Sequence, residues 1–191
     1  MPKPSKREQL VEATKALLWE VGFEAMSPRD IQTRSEARPG SLYHHFRSKL
    51  ALAGEAMSEL AEADVTRINT YFAGDTPPME MVEGYLSSPR DATRGCRFGR
   101  LVNEASIEHE ELRGPVTAFF EAVRSNLAAN LRKAQAEGTL RPSIDPDALA
   151  ITLLATIQGA AVLARCYQDE NMASQAMAGA IALLTEATQP A

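Results

Sequence analysis

Residues 38–49, RPGSLYHHFRSK, place a glycine, an adjacent pair of histidines and two aromatic residues between basic side chains. A cluster of this composition could bind a metal ion, carry out chemistry, or bind a negatively charged partner. Residues 1–49 carry nine Lys and Arg against six Asp and Glu, a net charge of +3, whereas the rest of the chain carries eleven against nineteen. A basic head on an acidic body is typical of a polyanion-binding module joined to a second domain.

Two short helices joined by a tight turn are predicted around this segment. The first begins at "SPRD", where Ser27 is the N-cap residue and Pro28 occupies the first helical position. Pro39 disfavours helical geometry at the residue before it, so the chain has to turn there. A second helix of about two turns is expected over residues 39–46. A helix, a tight turn and a second short helix form the helix-turn-helix arrangement.

The second helix has side chains that suit DNA. Gly40 and Ser41 allow a close approach of the backbone, while Tyr43 and His44 offer hydrogen bonds to phosphates or base edges. Lys49, at the start of the next helix, can contact a phosphate. An ordinary amphipathic helix is the plain alternative for the same residues. Spacing and charge together favour DNA binding.

A metal site and an active site are both disfavoured. His44 and His45 are adjacent, so a helix directs them about 100° apart and they cannot share one ion as an i, i+4 pair would. Ser41 has no acidic partner nearby in sequence, and the chain contains no G-x-S-x-G, P-loop or GxGxxG motif. We therefore expect no metal, no cofactor and no enzymatic activity.

The remainder of the chain is predicted to be helical, which makes the expected fold all-α with about nine helices. Besides the two helices above, the expected helices are a first one ending at Gly22, one at 48–72, one from 76 or 77 to before Pro89, one from 96 to about 107, and three at 112–137, 145–168 and 172–188.

The most apolar stretch, ALAITLLATIQGAAVLA at residues 148–164, is seventeen residues long and contains two Thr, a Gln and a Gly. It is short for a membrane span and is better interpreted as a buried helix. The N-terminus has basic residues but no apolar segment behind them, so no secretory signal is expected. Cys96 and Cys166 lack CxxC spacing, and we expect reduced thiols in a cytoplasmic protein without a membrane partner.

Residues 23–52, FEAMSPRDIQTRSEARPGSLYHHFRSKLAL, resemble the DNA-binding head of the TetR family of bacterial transcriptional regulators. The hallmark of that family is a Gly-Ser/Thr-Leu-Tyr-x-His-Phe run followed by a Lys. With the first helix, the resemblance covers about residues 6–52. Residues 95–106, GCRFGRLVNEAS, are also similar to a Gly-Cys-x-x-Gly-x-Leu-x-x-Glu segment in one branch of the family.

The resemblance implies roles for individual residues of the head. Those that would face DNA or contact its phosphates are Ser27, Arg38, Pro39, Gly40, Ser41, Tyr43, His44 and Lys49. Leu42, His45 and Phe46 would hold the second helix onto the head. Glu36 departs from the pattern, because relatives usually have Gly in this turn. If the position needs a positive φ, Glu is strained there by about 1 kcal/mol.

The resemblance also implies a helix-turn-helix DNA-binding domain over residues 1–49 and a helical effector-binding and dimerisation domain over residues 50–191. The last two helices would pair with those of a second copy, giving a homodimer that reads a palindromic operator in double-stranded DNA. Residues 148–164 and 173–187 support this independently, since they are rich in Ala, Gly and Leu with few charges. The alternative is that both are simply core.

The middle helices would be free to enclose an unknown small-molecule effector. Candidates for the pocket lining are Met57, Leu60, Met79, Val82, Tyr85, Phe98, Phe119, Phe120 and Val123. Each of these is more often a core residue than a pocket residue. Polar residues on one predicted helix of this region could orient a ligand or be solvated, and these are Arg97, Arg100, Asn103 and Glu104.

Two functional hypotheses therefore stay open. The first is a dimeric repressor that a small-molecule effector releases from its palindromic operator. The second is a dimeric DNA-binding assembly protein without an effector. Repression is the usual outcome in the family that the head resembles, although activators exist and the sequence does not separate them.

Overall fold

Helices make up the regular structure of the part of the chain that the computed structural model describes, residues 4–38 and 40–188. The helices are α1 Lys6–Glu20, α2 Gly22–Ala25, α3 Pro28–Arg34, α4 Ser41–His45, α5 Lys49–Phe72, α6 Pro78–Ser87, α7 Arg97–Leu101, α8 Glu110–Ala136, α9 Pro146–Tyr167 and α10 Glu170–Glu186. Two 3₁₀ segments, Ala92–Arg94 and Ala105–Glu108, lie among them. These residues contain no strand, and the expected all-α class is confirmed.

The chain divides into two compact units. One contains the described residues up to Asp64 together with residues 97–119, and the other contains residues 65–96 and the described residues from Phe120 onward. The helix-turn-helix head therefore shares its unit with α7 and the first part of α8. The functional boundary expected between residues 49 and 50 stays a prediction.

The start of α3 follows from its local sequence. The side chain of Ser27 accepts a hydrogen bond from the backbone amide of Asp30, and the amide of Ser27 donates to the Asp30 carboxylate at 2.8 Å. This capping box, with Pro28 at the first helical position, is the helix start that the sequence predicts. The hydrogen bonds from Ser27 lower the pKa of the Asp30 carboxyl.

Three helical expectations for the first unit need correction. The second helix of the head is shorter than expected, because Gly40 has a left-handed φ of 85° and α4 begins only at Ser41. A tenth helix, α2, follows the end of α1. The helix expected from residue 96 to about 107 ends at Leu101, and a 3₁₀ segment follows. Glu104, between the two segments, has an extended backbone with a φ of −97° and a ψ of 143°, and the amide of Ser106 donates to the Glu24 carboxylate.

In the second unit, α9 packs on α10 and on the 3₁₀ segment Ala92–Arg94. The residues that α9 buries are Ala150, Leu153, Ile157, Ala160 and Ala164, which lie on one face. The expectation of a buried helix at residues 148–164 therefore holds for that face only. By length and composition, α9 is the one helix of the described residues that could cross a membrane. Its opposite face is exposed and apolar.

Candidate functional site

Helix α4 combines two anchoring side chains with two exposed ones. Leu42 is completely buried, and Phe46, which ends the helix, is 6% exposed. Tyr43 is 61% exposed and His44 is exposed as well. His45 is half-buried, with its ring 4.9 Å from that of His44 in an edge-to-face arrangement. The helix is thus fixed by its apolar face and presents Tyr43 and His44 to an external partner.

The residues before α4 form an exposed turn. The carbonyl of Arg38 accepts a hydrogen bond from the amide of Ser41 at 3.0 Å, and Arg38 itself is exposed. A Cβ added to Gly40 would meet no atom within 4 Å, so its positive φ, rather than a lack of space, requires glycine here. Pro39, which we expect to face DNA, lies outside the described residues.

Glu36 has the left-handed backbone conformation that the family resemblance led us to consider for this turn. Its φ is 52°, and its carbonyl accepts a hydrogen bond from the Lys6 ammonium at 3.3 Å. A residue with a side chain is strained in this region of backbone space. The positive φ on which the expected strain depends is therefore confirmed.

Lys49 forms hydrogen bonds within the DNA-binding head. Its ammonium donates to the backbone carbonyls of Phe23 and Met26, at 2.9 Å each, and lies 4.0 Å from the centre of the Phe23 ring. Burial lowers the pKa of Lys49, and the charges of Glu104 and Glu24 oppose that shift. Two of its three N–H donors are occupied by these carbonyls. The phosphate contact of Lys49 stays a prediction.

The nine candidate pocket residues are divided between the two units. Met57, Leu60, Phe98 and Phe119 lie in the first unit, and Met79, Val82, Tyr85, Phe120 and Val123 lie in the second. In the first, the buried Phe98 ring stacks on Phe119 with centres 4.1 Å apart. Their contact with an effector stays a prediction.

An aromatic cluster in the second unit contains Tyr85 and two residues that the sequence did not single out. The ring centre of Tyr85 lies 5.7 Å from that of Tyr71 and 5.0 Å from that of Phe72. Burial raises the pKa of Tyr85, and the nearby guanidinium of Arg90 opposes the shift. The signal that could have drawn attention to this region is the adjacent pair of aromatic residues, Tyr71 and Phe72, at the end of α5.

Two of the polar residues considered for ligand binding are bonded within the first unit. Arg97 forms an ion pair with Asp64 at 2.7 Å, and its guanidinium lies 5.8 Å from the centre of the Trp19 ring. The Asp64 side chain is only 8% exposed. Glu104 accepts hydrogen bonds from the backbone of α2. These contacts join segments far apart in sequence, so no local pattern could have predicted them.

Comparison with known proteins gives consistent matches along the chain. Residues 10–56 match the model of bacterial regulatory proteins of the tetR family, and residues 79–180 match the model of the tetracyclin repressor-like C-terminal domain. The HTH-type transcriptional repressor DhaR of Mycobacterium sp. (strain GP1) is 28% identical over 163 residues, 84% of this chain and 82% of that protein.

Further relatives agree with these matches. The transcriptional regulator AcuR of Cereibacter sphaeroides is 26% identical over 166 residues, 83% of this chain and 75% of that protein. The crystal structure of a TetR transcriptional regulator from Chloroflexus aurantiacus J-10-fl superposes with a TM-score of 0.86 at 26% identity, covering 97% of each chain. These matches cover both the head, which exposes Tyr43 and His44 on α4, and most of the rest of the chain. The chain therefore belongs to the TetR family of DNA-binding bacterial transcriptional regulators.

Proposed function

We propose that the protein is a cytoplasmic homodimeric repressor that binds a palindromic operator and is released from it by a small-molecule effector. The observation that carries the DNA-binding part is the geometry of α4. Its buried Leu42 and Phe46 fix the helix, while Tyr43 and His44 project from a tight turn opened by Gly40. A short, anchored helix with exposed hydrogen-bonding side chains suits a major groove.

The dimer rests on an apolar surface of α9 and α10. Large side chains exposed on it are Ile151, Val162, Leu163, Tyr167 and Leu183, with exposed fractions between 46% and 75%. Exposed apolar patches on a soluble protein mark interaction sites. A second copy is the occupant that fits, because the opposite face of α9 already packs on α10 and a two-fold pair would bury both surfaces at once.

Two copies related by a two-fold axis would present two α4 helices to one side of a DNA duplex. Such a pair reads half-sites separated by about one helical turn or a multiple of it, which makes the operator palindromic. The effector would favour a swing of the head through α5 that spoils this spacing. A coupling of about 1–3 kcal/mol between the two sites is sufficient for regulation.

Repression is proposed because relatives such as DhaR carry that description. The competing function, a DNA-binding assembly protein without an effector, predicts the same dimer and the same DNA contacts. Thermal melting of the purified protein against a panel of metabolites and drugs separates the two. Stabilisation by at least one compound supports an effector, and a complete absence of stabilising compounds favours the assembly protein.

The DNA-binding surface is tested with fragments that the wild-type protein selects from genomic DNA. Tyr43→Ala should reduce affinity for the selected fragment by about tenfold or more, because the side chain exposed on α4 is removed. Light scattering should show an unchanged dimer. Leu183→Glu is the complementary variant, since a charge on the apolar surface should dissociate the dimer. Full operator affinity in Tyr43→Ala would refute the assignment of α4.

A further inference from the structure

Residues 95–106, which resemble a segment found in one branch of the family, include Glu104. Glu104 is not one of the residues expected to contact DNA. The Oε2 atom of Glu104 accepts hydrogen bonds from the backbone amides of Phe23, at 2.9 Å, and Glu24, at 3.0 Å. Amides in the first turn of a helix have no partner within that helix. The N-cap residue of α2 is Val21, which has no polar side chain to bond them. Glu104 therefore supplies the cap for α2.

Glu24 returns the same contact. Its Oε1 atom accepts a hydrogen bond from the amide of Ser106 at 2.9 Å. Ser106 lies in the 3₁₀ segment Ala105–Glu108, whose own start also has no local side-chain cap. The hydroxyl of Ser106 donates to Glu104 at 3.3 Å. Each carboxylate thus caps the segment that carries the other, and we call Glu24 and Glu104 the carboxylate clamp.

The carbonyl end of α2 is held as well. Lys49, the first residue of α5, donates to the carbonyls of Phe23 and Met26. Its positive charge also offsets the repulsion between the two carboxylates of the clamp, both of which act on it electrostatically. The four residues of α2 are therefore fixed at one end by a segment from the middle of the chain and at the other by α5.

Gly22 leaves the space that the Glu104 carboxylate occupies. Its φ is 86°, and a Cβ added there would lie 1.8 Å from Oε1 of Glu104. No other residue type leaves room for the carboxylate without a shift of the backbone or of Glu104. The clamp therefore depends on a glycine at this position, and it is specified by two parts of the sequence about eighty residues apart.

We propose that the carboxylate clamp positions the helix-turn-helix for DNA and is the joint through which a change at residues 97–108 reaches α3 and α4. The chain leaves α2 through the buried Met26 and enters α3 directly, so a displacement of α2 displaces α3, and α3 packs on α4. A closed clamp pre-organises the head, which lowers the cost of binding. Glu24 and Glu104 are positioning residues, and this inference rests on the proposed function for its DNA readout.

The test compares Glu104→Ala and Glu24→Gln with Glu108→Ala, which removes an exposed carboxylate from the same 3₁₀ segment. Each full-length variant is measured far below its melting temperature for its Kd on a DNA fragment selected by the wild type. Hydrogen exchange of the amides of residues 23, 24 and 106 is followed in parallel. Circular dichroism and light scattering establish that each variant is folded and dimeric.

We expect Glu104→Ala to speed exchange of the amides of residues 23 and 24 at least tenfold and to weaken operator binding about tenfold. Glu24→Gln should weaken binding less and affect mainly the amide of residue 106, and it serves as the main variant if Glu104→Ala does not fold. Glu108→Ala should behave as wild type. A purely structural clamp would alter exchange and melting temperature but not the Kd of the folded protein.

Two results would overturn the proposal. One is unchanged exchange at residues 23 and 24 in Glu104→Ala, which would show that no clamp forms. The other is faster exchange with a wild-type Kd, which would show that the clamp does not position the head. Wild-type protein that selects no DNA sequence would instead refute the proposed function, and the positioning role would fail with it.

Discussion

Replacing Glu36 by glycine should stabilise the protein. Glu36 has a φ of 52°, a conformation that costs a residue with a side chain about 1–2 kcal/mol. Glycine avoids that cost but loses about 0.5–1 kcal/mol more conformational entropy on folding. The bonds of Glu36 to α3 and α1 use its backbone amide and carbonyl, so glycine keeps them. The expected net gain is about 0.5–1 kcal/mol.

The assay is the free energy of unfolding in denaturant, compared at one protein concentration because the proposed dimer would link stability to concentration. A gain of this size corresponds to a rise in Tm of about 1–4 °C for a chain of this length. Glu36→Ala is the matched control, since it removes the charge and keeps the strain. Gln168→Gly is a second comparison, because Gln168 has a φ of 53° but its side chain donates to the carbonyl of Arg165.

Glu36→Ala should leave stability near that of wild type, and Gln168→Gly should gain less than Glu36→Gly. If Glu36→Ala were as stabilising as Glu36→Gly, the charge and not the backbone would be responsible. If Glu36→Gly were no more stable than wild type, the strain argument for the turn would be refuted.

Three further predictions concern the first unit. Gly22→Ala should destabilise by about 2 kcal/mol or more in denaturant unfolding, because a positive φ and a methyl group 1.8 Å from a clamp oxygen act together. Arg97→Ala removes the ion pair of the nearly buried Asp64 and should cost about 2–3 kcal/mol, less than for a fully buried pair because Arg97 is 30% exposed. Ser27→Ala should raise the pKa of Asp30 toward its ordinary value, as measured by carboxyl NMR titration, because the hydroxyl bond that lowers it is lost. Since the pKa of Asp30 is lowered in the fold, its contribution to stability is present above its ordinary pKa and is lost as the pH falls through the lowered value.

Local chemistry made much of the head predictable. The start of α3 depends on Ser27, Pro28 and Asp30, three residues within one turn. The burial of Leu42 and Phe46 follows from their spacing of four residues on one helix face. Glu36 stood out only through the resemblance, because relatives usually have Gly in this turn. For the helix start and the buried face, the responsible atoms lie within a few residues of each other.

The helices after residue 50 were less predictable, because their burial and their ends depend on which neighbouring segments each helix face contacts. The composition of residues 148–164 indicates an apolar helix, but it does not reveal which residues contact α10 and which remain exposed. The expected continuous helix after residue 96 was wrong for a related reason. The spacing of its apolar residues is helical, yet Glu104 has an extended backbone and the amide of Ser106 bonds to Glu24 of α2, a contact that no local pattern reveals.

Caps, turns and apolar spacing act over a few residues, and they were enough to predict the all-α class, the helix-turn-helix and the exposed residues of α4. The three-dimensional packing was needed to show that Lys49 bonds to the carbonyls of α2 and that Glu104 caps its amides. Those bonds join groups from about 25 to about 80 residues apart, and which donor meets which acceptor is settled only when the helices pack.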